Sequence, residues 1–86
     1  MENSKETEWF NTQRVQVIKA FIEELTERAT NPNDKTNSVQ ESWPDMLSNG
    51  QKIPGNRESR EALIKIAQDH RLTPDQTDQI ISELLE

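Results

Sequence analysis

Apolar residues in this chain recur at helical spacing in three stretches, separated by polar, turn-forming segments. The first stretch carries Phe10, Val17, Ile18, Phe21 and Leu25, with Val15 and Ile22 widening the stripe on one side. At about 100° per residue these positions cover an arc of roughly 160°, wide enough to meet two neighbours. They predict a helix over about 7–29, with residues 1–6 frayed. The second stretch carries Ala62, Leu63, Ile66 and Ala67, and predicts a helix over about 57–70 behind an Asn56 cap. The third carries Ile80, Ile81, Leu84 and Leu85 over about 74–85. Its start is sharply marked: Thr73 as cap, Pro74 at the first helical position, Gln76 at the reciprocal capping position.

The connection at 30–41 opens with Asn, Pro, Asp and Thr, whose side chains offer the backbone alternatives to helix, and it reads as a loop. A short helix follows at 42–49, with Ser42 as its expected cap, Pro44 in the first turn, and Trp43, Met46 and Leu47 on one face. Asn49-Gly50 ends it. Under two turns cannot hold alone, so Trp43 must pin it to the core. Ile53 is a further anchor within the turn at 51–55. No stretch alternates like a strand. The expected fold is all-α: one domain over 1–86, a small three-helix bundle with an additional short helix in the 42–49 connection. Its core is Phe10, Val17, Ile18, Phe21, Leu25, Leu63, Ile66, Ile80, Ile81 and Leu84, with Trp43, Met46 and Leu47 closing one end.

Apolar residues make up 30% of the chain, against roughly 45–50% in typical globular domains, a norm that also counts Gly. A small core argues against an enclosed substrate cavity and leaves room for stabilisation by a partner or a second copy. There are no cysteines, which removes thiol chemistry and suits a reducing cytoplasm. Residues Met1 to Glu8 are polar and acidic, unlike a secretory signal, and no stretch approaches a membrane span. The formal net charge is −6, which repels phosphate and anionic lipid on average.

Ala67, Leu72, Thr73, Pro74 and Ile80-Ile81 form a pattern similar to the turn region of bacterial helix-turn-helix DNA-binding domains. The chain departs from that pattern at Arg71, where a glycine usually makes the turn, and at Thr77, where the second helix usually buries Val or Ile. The resemblance implies base-reading positions at Asp75, Gln76, Asp78 and Gln79. From Leu72 onward, however, the chain carries Asp75, Asp78, Glu83 and Glu86 and no Lys or Arg. Acids beside phosphate disfavour nucleic acid, and capping alone explains a plain helical hairpin. The one basic strip a nucleic-acid reading could use is Arg57, Arg60, Lys65 and Arg71.

No catalytic constellation, metal-ligand set or cofactor motif is recognisable. His70 sits within the apolar stripe of its helix, where a half-buried histidine near a helix C-terminus is the plain alternative to a pH switch or general base. Glu23, Glu24 and Glu27 on the first helix, like Asp75 and Asp78 on the last, read as solvated faces. Trp9 falls on the polar side of the first helix, where it is exposed or folds back onto the 31–56 segment. Arg14 lies in the apolar stripe between Phe10, Val17 and Phe21; its stem can cover apolar surface while its head stays in water, or it can reach a partner's carboxylate. The expected function is a small acidic, non-enzymatic protein-interaction module, in the manner of an inhibitor, adaptor or immunity-type partner. Its expected contacts are Trp9, Arg14, Asp75, Asp78 and Glu83. Homodimerisation through the first helix is a further expectation, and nucleic-acid binding by the C-terminal hairpin is the alternative.

Overall fold

The structure, a computed structural model, describes residues 2–30 and 39–86, with side chains from Thr7 onward. The chain is a small all-α fold, and the described residues hold four helices in the order α1 (Glu2–Ala29), α2 (Ser42–Ser48), α3 (Arg57–Asp69) and α4 (Pro74–Leu84). Helix α1 begins earlier than its apolar stripe predicts: residues 2–6, expected to fray, continue the helix. Most of the expected 30–41 loop, residues 31–38, lies outside the described residues.

Two helix starts form as their sequences dictate. The Asn56 side chain accepts a hydrogen bond from the Ser59 backbone N–H at 2.9 Å. At α4 the capping box is complete, with the Gln76 N–H donating to Thr73 Oγ1 at 3.1 Å and the Thr73 N–H donating to Gln76 Oε1 at 3.0 Å. Helix α2 differs from expectation. Its cap is Glu41, with α-helical φ and ψ and no side-chain cap hydrogen bond, so Ser42 is already helical. Burial replaces the missing cap, because Trp43, Pro44 and Leu47 are all inside. At its other end the Gln51 N–H donates to the Met46 carbonyl at 2.8 Å and the Gly50 N–H to the Leu47 carbonyl at 3.1 Å. That pair of bonds is a Schellman cap, and Gly50 supplies the required left-handed residue at φ 78.

The same device ends α3, where the Leu72 N–H donates to the Ala67 carbonyl at 3.0 Å and the Arg71 N–H to the Gln68 carbonyl at 2.9 Å. Here the left-handed residue is Arg71, at φ 63. The turn geometry therefore forms without a glycine, and Arg71 bears the steric cost of its Cβ.

Helix α1 packs on α2 and α3, and α4 packs on α3. Contacts from Gln13 to His70 and from Arg28 to Glu58 show that α1 and α3 run antiparallel. Val17, Phe21 and Leu25 of α1 are completely buried, as are Leu63, Ala67, Ile80 and Ile53. Phe10, Ile18, Ile66 and Ile81, expected within the core, are half-buried against it, while Val39, Leu72 and Leu85 join it. Ser59 is buried too, and its hydroxyl donates to the Pro54 carbonyl at 2.9 Å. Such a donor is tolerated inside only when satisfied.

Leu85, expected at the end of α4, instead leaves the helix with φ −114 and ψ 142. Leu85 forms a parallel bridge with Ile53: the Ile53 N–H donates to the Leu84 carbonyl at 3.0 Å, and the Glu86 N–H donates to the Ile53 carbonyl at 2.9 Å. Gly55 makes room for this approach, since a Cβ there would lie 2.6 Å from the Glu86 carbonyl oxygen.

Two substitutions test these backbone features by urea denaturation. Arg71→Gly should stabilise the fold by up to about 1 kcal/mol, because glycine takes positive φ without steric cost. Gly55→Ala should destabilise it by about 1–3 kcal/mol, as the added methyl must displace backbone.

Candidate functional site

Arg14 and Glu83, two of the expected partner contacts, meet within the molecule. Arg14 Nε donates to Glu83 Oε2 at 2.6 Å, joining α1 to α4 across 69 positions of sequence. Their side chains remain 37% and 42% exposed, so solvent screens the pair. The Arg14 head therefore reaches a carboxylate of its own chain, and a partner would have to compete with Glu83 for it.

Trp9 is 42% exposed and takes no part in the core; of the 31–56 segment, its expected fold-back surface, residues 31–38 lie outside the described residues. It lies one residue, about 100° of helix, from Phe10, which is half-buried facing α4. Asp75 and Asp78 are both exposed and one helical turn apart on α4, and neither forms an ion pair among the described residues. The five residues thus fall into three places: Trp9 on the outside of α1, the Arg14–Glu83 clamp, and the acidic outer face of α4.

Glu24, expected on a solvated face, is half-buried and bound to Arg28, whose Nε donates to Glu24 Oε1 at 2.9 Å. Arg28 Nη1 also donates to Glu58 Oε1 at 3.1 Å, linking the end of α1 to the first turn of α3. Burial opposes the charge on Arg28, but hydrogen bonds and Coulomb attraction from Glu24 and Glu58 outweigh it and raise the pKa of the guanidinium. His70 is half-buried at the C-cap of α3, with Nδ1 3.2 Å from Gln13 Oε1. It faces an amide rather than a nucleophile. Among the described residues, no three His, Cys, Asp or Glu side chains are placed to hold a metal ion. No helix there is long and apolar enough to cross a membrane.

Helices α3 and α4 also enclose a groove of about 330 Å³, lined by Ile64, Gln68, Leu72, Pro74, Thr77 and Asp78. The groove is not evident from periodicity. Its one visible signal is Thr77, a short side chain at a buried position of α4 where a larger apolar residue would fill the space. Thr77 Oγ1 donates back to the Thr73 carbonyl at 2.9 Å, so its hydroxyl is satisfied by its own helix.

These features define a small helical bundle with an exposed tryptophan and an acidic helix face. Comparison of the chain with protein-family models, curated proteins and solved structures returns no match.

A double-mutant cycle of Arg14→Ala and Glu83→Ala should give a coupling energy of about 1 kcal/mol or less, falling as salt is raised. A larger, salt-insensitive coupling in thermal denaturation would contradict the solvent-screened reading of this pair.

Proposed function

We propose that this protein is a small acidic, non-enzymatic module that binds another protein and modulates it, as an inhibitor, adaptor or immunity-type partner in the cytoplasm. The observation that carries the reading is the outer face of α4. Asp75 and Asp78 stand exposed and, among the described residues, without an ion pair, on a helix that contains no Lys or Arg. Charge left unneutralised within the chain is available to steer a basic partner. Trp9 adds a large exposed indole on α1, of the kind enriched in binding hot spots. Modest apolar content and the lack of cysteine support a reducing compartment and a fold that gains from a partner.

The same protein-binding role has room for self-association through α1, where Val15 is 49% exposed beside half-buried Ile18 and Ile22. Nucleic-acid binding stays the second reading. The left-handed turn at Arg71 favours it, and the acids of α4 oppose it.

A tagged pull-down from lysate of the source organism, with nuclease treatment and mass spectrometry, tests the proposal. The expected outcome is one stoichiometric protein that survives nuclease and whose recovery falls with Trp9→Ala or with Asp75→Lys/Asp78→Lys. Retention of nucleic acid, or of nothing but the protein itself, would overturn the heteromeric reading.

A further inference from the structure

We propose that the α3–α4 groove is where the partner docks, and that its occupant is a basic segment with one apolar anchor. An aliphatic or aromatic side chain would seat on Ile64 and Leu72, while an adjacent Lys or Arg pairs with Asp78 and Asp75. The inference rests on the interaction-module reading and adds to it a place and a chemistry.

The groove has the make-up of a recognition site. Its volume of about 330 Å³ falls at the lower end of the roughly 300–1,000 Å³ typical of ligand pockets. Ile64, Leu72 and Pro74 give it apolar walls, and Gln68 on α3 and Asp78 on α4 place polar groups on opposite sides. Thr77 keeps it open, with its hydroxyl turned back to the Thr73 carbonyl and only a short side chain on the groove wall.

The charge at its edge selects the occupant. Asp75, in the first turn of α4, is accounted for by the helix dipole. Asp78 lies beyond that turn, where the dipole's influence has faded, and it lines the groove exposed and, among the described residues, without an ion pair. Lys65 and Arg71, the nearest bases in sequence, are not among the lining residues. Among the described residues, an incoming cation therefore meets no competitor from the groove itself. A second copy of this chain fits less well, because each copy brings a net charge of −6. A phosphate backbone fits worst, because it would set anion against anion.

Site-specific photo-crosslinking provides the test. A compact diazirine amino acid replaces Gln68 in one protein, Glu27 on the outside of α1 in a second, and Trp9 in a third. Each is irradiated in lysate of the source organism, and the linked peptides are sequenced. The expected result is an adduct from position 68 to a peptide bearing an apolar residue next to Lys or Arg. Its yield should drop on the order of tenfold with Asp75→Lys/Asp78→Lys, as loss of complementary charge requires. A neutral or acidic peptide at position 68, or a yield unchanged by the charge reversal, overturns the proposed chemistry. Adducts only from position 9 or 27 overturn the groove and leave the interaction module standing. A self-adduct at position 68 replaces the basic segment with a second copy. No adduct at any position overturns the groove and the module together.

Discussion

The bundle is organised around three side chains on α1. Val17, Phe21 and Leu25 recur every fourth residue and are completely buried, so they form one continuous ridge. Helices α2 and α3 both pack on α1, and α4 is held largely through α3. A chain with so few apolar residues has little redundancy in such a ridge. Truncating a buried Phe generally costs about 3–5 kcal/mol, a large part of the 5–15 kcal/mol that typically holds a domain together. The surface can then be spent on charge, because the core is concentrated on one line.

Around this ridge the polar links act as locators. Arg28 joins the end of α1 to the start of α3 through Glu58, and His70 touches Gln13 at the opposite ends of the same two helices. Arg14 and Glu83 set α4 against α1. All three links are at least partly exposed, so each contributes little stability alone. Together they fix how far α1 slides and turns relative to its neighbours. Among the described residues Asp75 and Asp78 make no such link, and this sets them apart from Glu58 and Glu83.

The parts of the fold legible in sequence are those fixed by neighbours in the chain. Asn56 and Thr73 cap their helices because a cap needs only the next three residues. Trp43 and Ile53 are buried as their isolated apolar character suggests. The rest depends on residues far apart. Nothing local tells Leu85 to leave α4, since Ile53 provides the reason from 32 positions away. Nothing local moves the cap of α2 from Ser42 to Glu41 either, because that helix is held by burial. The candidate site divides in the same way. The exposure of Asp75 and Asp78 follows from helical phase, and phase puts Trp9 on the polar side of α1 without deciding between exposure and a fold-back contact, whereas the capture of Arg14 by Glu83 and the open groove beside Thr77 are products of packing.

The two tryptophans have a consequence for how this molecule can be observed. The chain contains no tyrosine, so its intrinsic fluorescence comes almost wholly from two indoles. Trp43 is 3% exposed, at the junction that pins α2, whereas Trp9 is 42% exposed, on the outside of α1. One indole is shielded from water and from collisional quenchers, and the other is open to both. The molecule therefore carries separate optical channels for the integrity of its interior and for events at its surface, with no label attached.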